Sequence, residues 1–115
     1  RWNCGRFALA SIEACTGVSC SVSLGKPSPV MLQEAMRGLD VRVEEAVMVG
    51  DRLHTDIQMA VDTGMRSAMV LTGESTQAEV DALEPSQRPG WVLDRVDRLI
   101  PTSIWNELGW TENDD

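Results

Sequence analysis

The sequence predicts an α/β fold built around a parallel sheet, and three observations point there. Two short, unbroken apolar runs, residues 46–49 and 68–71, have the length of strands buried on both faces. Between them lies a segment with Ile57, Ala60 and Val61 at helical spacing. Each run ends in a glycine-bearing loop, Gly50-Asp51 and Thr72-Gly73. Repeated strand-then-helix units imply right-handed crossovers and parallel pairing.

In chain order, residues 6–16 carry Phe7, Ile12 and Ala14 among other apolar residues and stop at Thr16-Gly17, which predicts a helix with a glycine terminator. Val22 and Leu24 alternate with serines and predict a short strand. Ser28-Pro29 reads as an N-cap followed by proline at the first helical position. Met31, Leu32, Ala35, Met36 and Leu39 continue that helix, and Gly38 marks its end. The strand at 46–49 leads into the loop 50–56, then into a helix closed by Gly64. After the strand at 68–71, Ser75 or Thr76 caps a helix running through Leu83, with Pro85 as its stop. Residues 87–90 form a turn, 91–93 a third strand, and Asp94 caps a helix through Ile100 that Pro101 breaks. Trp105 and Trp110 belong to a piece whose packing the pattern leaves open, and residues 111–115 read as a solvated tail.

Composition narrows the function. The chain has 115 residues, 43% hydrophobic and 24% charged, an ordinary globular mix for one domain or part of one. No apolar run approaches the ~18 residues of a membrane span. Ten Lys plus Arg against eighteen Asp plus Glu give a net charge of −8. That field repels nucleic acid and anionic membrane, so neither is an expected partner, whereas a local pocket can still take a small phosphorylated molecule. Cys4, Cys15 and Cys20 lack the spacing of a disulfide framework or a zinc site and read as reduced thiols. With no targeting pattern, the expected setting is cytoplasmic.

Ligands of such sheets bind beyond the carboxyl ends of the strands, so the loop after Val49 is the first place to look for chemistry. Asp51 follows a strand directly and Asp56 starts the next helix. Two carboxylates on one rim could hold Mg²⁺, which takes few protein oxygens and completes its shell with water and phosphate. Equally, Asp51 could end a strand in a turn and Asp56 merely cap a helix. Lys26, in Gly25-Lys26-Pro27-Ser28-Pro29, sits at a helix N-terminus where an anion is favoured; the alternative is a solvated lysine in a proline-rich turn. A Walker A loop is excluded by Cys20 and Pro27. His54 and Arg52 lie in the same loop, Thr55 could orient a carboxylate, and Thr72-Gly73-Glu74 could line the same rim.

Taken together, Gly25-Lys26-Pro27-Ser28-Pro29, Val47-Met48-Val49, Gly50-Asp51-Arg52-Leu53-His54-Thr55-Asp56-Ile57, Gly64-Met65 and Val70-Leu71-Thr72-Gly73-Glu74 resemble the haloacid-dehalogenase-like (HAD) hydrolases. Within it the chain looks most like the class IIA phosphatases, which include phosphoglycolate, pyridoxal-phosphate, 4-nitrophenyl-phosphate and NagD-type nucleotide phosphatases. The resemblance implies a Rossmann-like three-layer core, incomplete here, with residues 1–100 its C-terminal part, residues 1–20 near the cap junction and 101–115 a tail. It implies a Mg²⁺-dependent phosphate-monoester hydrolase working through a phosphoaspartate. Lys26 takes the role of the phosphate-binding catalytic lysine. Asp51 and Asp56 take the metal-binding positions, and Arg52 lies beside the phosphate; His54 falls at a variable position.

The departures from the family pattern matter as much. The nucleophile motif, Asp-x-Asp, occurs nowhere in the 115 residues, and the second-motif Ser or Thr has no match. The expected chain therefore supplies the lysine and the metal-binding carboxylates, contains no nucleophile and is inactive alone. Its strand at 46–49 is expected to have an open apolar edge where the nucleophile strand would pair. The competing expectation is a non-catalytic metal- or anion-binding module, or a dimerisation surface, of the same fold. A homodimer stays open under either.

Overall fold

Strands β1 (Val47–Gly50), β2 (Arg66–Val70) and β3 (Trp91–Leu93) form one parallel sheet in the order β1-β2-β3. The register runs from Val47↔Arg66 to Gly50↔Met69 across the first pair and from Ala68↔Trp91 to Val70↔Leu93 across the second. The computed structural model describes residues 4–110, and of Cys4 the backbone alone. Of the apolar run at 68–71, Ala68, Met69 and Val70 are buried, as is Ser67 before them, whereas Leu71 lies past the end of β2 and is 36% exposed. The first strand is not buried in this way. Val47 is 41% exposed and the rest of β1 is half-buried, because β1 is an edge strand paired only with β2 among the described residues. Among the described residues, the continuous apolar run there does not give a strand covered on both faces.

Helix α1 (Cys4–Thr16) ends where Gly17 takes a φ of 68°, the left-handed value that favours glycine. The strand expected around Val22 and Leu24 is absent. Both side chains are exposed, and the segment pairs with no described strand, so the alternation with serine has no sheet to join. Helix α2 (Pro29–Met36) starts as expected with Ser28 before proline, although the Ser28 side chain makes no capping bond. Leu32 is the residue of α2 that is buried.

Between β1 and α3 (Gln58–Thr63) lies one π-helical turn, Leu53–Ile57, in which the Gln58 amide donates to the Leu53 carbonyl. After β2, Thr76 caps α4 (Gln77–Asp81). Its hydroxyl accepts from the Glu79 amide, and the Glu79 carboxylate accepts from the Thr76 amide at 2.7 Å. The helix expected from Asp94 to Ile100 is instead a 3₁₀ turn, Val96–Leu99. The residue before a proline is biased to extended backbone, and Ile100 takes a ψ of 123° that ends the turn before Pro101. Part of the expected tail forms α5 (Thr102–Leu108). Trp105 is buried there, donates its indole N–H to the Ile100 carbonyl at 3.0 Å and carries Arg98 5.3 Å over its ring. Residues 111–115 lie outside the described part.

The core has two clusters. Leu32, Met59, Ala60 and Met65 join α2 to α3 against Met48, while Leu53, Ile57, Met69 and Val80 join the π turn and α4 to β2. Ile57, Met59 and Met69 are the largest fully buried side chains, each contributing roughly 1.5–3 kcal/mol by leaving water. The N-terminal part lies off this core: Phe7 and Ile12 on α1 are 66% and 59% exposed. The radius of gyration, 17.4 Å, accordingly exceeds the ~13 Å of a compact domain of this length. Among the described residues, no helix is long and apolar enough to cross a membrane.

Candidate active site

Because all three strands are parallel, the loops leaving β1 and β2 meet on one rim. Asp51 leaves β1 and is held from the neighbouring loop. Its Oδ2 accepts from the Glu74 amide at 3.0 Å, and its carbonyl accepts from the Ser75 amide at 3.0 Å. Ser75 returns the tie, its buried hydroxyl accepting from the Leu53 amide at 3.2 Å. These three bonds fix the Asp51 loop on the β2 loop.

Asp56 sits inside the π turn, 3% exposed, its amide bonded to the Arg52 carbonyl at 3.0 Å. A charge this buried needs a partner, and Lys26 supplies it with Nζ 2.6 Å from Asp56 Oδ1. Lys26 arrives from the turn before α2, where the Lys26–Pro27 peptide is cis and the Ser28 amide donates to the Gly25 carbonyl at 2.9 Å. The lysine's side chain stays 44% exposed, so its head reaches the buried carboxylate from the solvent side.

Two glycines make this approach possible. A Cβ at Gly50 would overlap the Asp56 side chain, and a Cβ at Gly73 would overlap the Asp51 carboxylate. Both acids therefore pack onto bare backbone.

The structure thus brings Lys26 and Asp56 into contact and places Asp51 next to Gly50, which Asp56 covers. Arg52 is engaged elsewhere on the rim. Its Nε lies 2.6 Å from Glu74 Oε2, in an ion pair with side chains 57% and 32% exposed. His54 is exposed. Sequence reasoning missed Ser75 as a support of the site, treating it as one of two candidate helix caps. The Thr76-x-x-Glu79 spacing, a capping box, was the signal that assigns the cap to Thr76 and frees Ser75.

The donor set suits a small hard cation. Asp51 and Asp56 offer two carboxylates, the second beside Lys26, Glu74 being paired with Arg52, and among the described residues no cluster of three or more His, Cys, Asp or Glu side chains could hold a metal ion. Mg²⁺ commonly takes one or two protein carboxylates with water and phosphate oxygens, so the pair fits it. Beside Asp56, the Thr55 hydroxyl is buried with no hydrogen-bond partner among the described residues. An unmade bond of that kind costs about 1–3 kcal/mol, so the site has an unfilled polar position.

A family model described as HAD-hydrolase-like matches residues 23–99, which span every rim residue named above. The chain belongs to this HAD-like family. Its relatives are class IIA HAD phosphatases. The ribonucleotide monophosphatase NagD of Escherichia coli K12 is 34% identical over 93 residues, covering 81% of this chain and 36% of that enzyme. The structure of a 4-nitrophenylphosphatase from Thermotoga maritima superposes with a TM-score of 0.69 at 35% identity, over 79% of this chain and 34% of that one. A glycerol phosphate phosphatase from Mycobacterium tuberculosis, solved in complex with magnesium, gives a TM-score of 0.61 at 39% identity over 73% of this chain and 25% of that one. It has also been solved with calcium. This HAD-like chain spans about a quarter to a third of the length of the curated relatives it matches.

Proposed function

We propose that the chain is the phosphate- and metal-binding part of a Mg²⁺-dependent phosphate-monoester hydrolase. The observation that carries this reading is the 2.6 Å contact between Lys26 and the buried Asp56, on the rim that Asp51 also occupies. Asp51 and Asp56 would hold the cation, and Lys26 would donate to the phosphoryl oxygens while its contact with Asp56 orients that carboxylate. Bound Mg²⁺ supplies positive charge to a phosphate oxygen. The Gly50 and Gly73 contacts fix both carboxylates before substrate arrives, which preorganises the site. Arg52, held at the rim by Glu74, adds positive charge near the incoming phosphate.

Attack requires a carboxylate aligned with the phosphorus, and no Asp-x-Asp occurs in the 115 residues. The reading therefore assigns the phosphoaspartate to another part of the parent protein, and this chain alone binds without turning over. The names of the relatives favour a phosphorylated small molecule as substrate. Two exposed free thiols, Cys15 and Cys20, suit the reducing cytoplasm.

Calorimetric titration with MgCl₂, then with inorganic phosphate in its presence, tests the site. One Mg²⁺ should bind, Asp51→Asn should abolish binding, and Lys26→Met should weaken phosphate by about tenfold or more, the worth of roughly one charge-assisted hydrogen bond. Absence of Mg²⁺ binding would refute the metal assignment. Hydrolysis of 4-nitrophenyl phosphate by the chain alone would refute the division of labour.

A further inference from the structure

The opposite end of the sheet carries a second concavity that the rim chemistry does not use. It is an open groove of about 470 Å³ at the N-terminal ends of β2 and β3, lined by Val61, Met65, Arg66, Ser67, Arg88 and Trp91 among others. Arg66 begins β2 and Trp91 begins β3. Parallel strands put this end away from the rim by the length of β2, roughly 13 Å at 3.3 Å per residue.

Its chemistry runs against the rest of the molecule. The whole chain carries −8, yet the groove's lining includes two arginines and no carboxylate. Arg88 is anchored: its Nε donates to the Leu83 carbonyl at 2.9 Å and its Nη2 to the Asp81 carbonyl at 2.8 Å. That grip holds one positive charge in place while leaving further N–H groups for a ligand. Arg66 is exposed, and its side chain has no described ion-pair or hydrogen-bond partner. Trp91 is 45% exposed, an unusual position for so large a ring, and Met65 and Ser67 form a buried base.

Fixed and free guanidinium groups beside an open indole and a buried base of Met65 and Ser67 match one ligand type. We infer that this groove binds a planar aromatic anion, its ring on Trp91 and its phosphate or carboxylate between Arg66 and Arg88. The ring gains stacking contact, and the anion gains charge-assisted bonds of the kind arginine makes with planar or forked oxygens. The volume falls within the 300–1,000 Å³ range of small-molecule sites. The inference does not rest on the phosphatase reading.

The test is a titration of the isotope-labelled chain with 5′-AMP, followed by amide and indole NMR shifts in EDTA so that metal-dependent binding at the rim is silent. Adenosine and inorganic phosphate serve as half-ligands. Saturable shifts are expected at Arg66, Ser67, Gly90 and the Trp91 indole, with each half-ligand about tenfold weaker or more. Arg66→Ala and Trp91→Leu should each weaken AMP by about tenfold, while Asp51→Asn should leave it unchanged. The Arg66 side chain is exposed and makes no described hydrogen bond or ion pair, and alanine keeps the backbone that pairs with Val47, so the fold is expected to persist. Absence of shifts at 10 mM-scale AMP, shifts confined to residues 50–56 and 72–75, or equal binding by the Arg66→Ala variant would each overturn the inference.

Discussion

The rim at residues 50–57 and 72–75 and the N-terminal region at residues 4–28 form one chain held by different means. On the rim, Asp51 and Ser75 accept from backbone amides of each other's loops, the Asp56 amide donates to the Arg52 carbonyl, and two glycines let both carboxylates touch main chain. In the N-terminal region, α1 and the segment after it are exposed almost throughout. Lys26 joins the two, reaching from the exposed segment to a buried carboxylate. The difference teaches that one half of the site is built by packing and the other half is delivered by a single ion pair and by the anchoring of α2 through Leu32.

The sharpest way to break that comparison is to remove one apolar side chain from each region. Ile57 is 1% exposed and sits in the π turn beneath Asp56 in sequence. Ile57→Ala should destabilise by about 2–5 kcal/mol, lowering Tm by roughly 10 °C or more. Phe7→Ala, at a residue 66% exposed, should change stability by less than about 0.5 kcal/mol. Thermal unfolding followed by circular dichroism reads both. A comparable loss in the Phe7 variant would mean that α1 is packed in solution.

Glycine offers an intermediate comparison. Gly50→Ala puts a methyl onto the Asp56 side chain, whereas a Cβ at Gly25 meets no atom within 4 Å. The first should cost about 1–3 kcal/mol and weaken Mg²⁺ binding; the second should leave both within error. Equal tolerance at the two positions would show that Asp56 moves freely, contrary to a packed rim.

What the sequence made legible follows the same division. The strand at 91–93 was predicted to the residue because an apolar run between a Pro-Gly turn and an acidic exit has few other solutions. Glycines 17, 38 and 64 marked helix ends because each adopts positive φ. The π turn was not legible, since one inserted residue changes hydrogen bonding without disturbing the apolar pattern that follows. Val22 and Leu24 misled because alternation records which side chains are apolar, not whether a neighbouring strand exists. At the candidate site, Lys26, Asp51 and Asp56 were singled out through motif order. The Arg52–Glu74 pair was not, because a contact across 22 positions depends on the parallel crossover and not on local spacing.

The smallest expected effect lies at the seam between the regions, where residues 40–46 lead from α2 into β1. Glu45 accepts from the Arg42 guanidinium at 3.1 Å and from the Arg42 amide at 3.0 Å. The side-chain bond first, and the backbone bond second, hold the Glu45 carboxyl below its ordinary value. A carboxyl lowered in the folded state binds fewer protons there than in the unfolded chain, so its contribution is present above the ordinary carboxyl value and fades as pH falls through the folded one. Arg42→Ala should return Glu45 toward the ordinary value in a side-chain carbon NMR titration. It should leave Tm at neutral pH nearly unchanged, since exposed pairs contribute little. An unshifted Glu45 in the unmodified chain would mean that this contact is not populated in solution. The entry into β1 would then be held by Val43 and Ala46 against the α2–α3 cluster, placing the seam with the packed region and not with the exposed one.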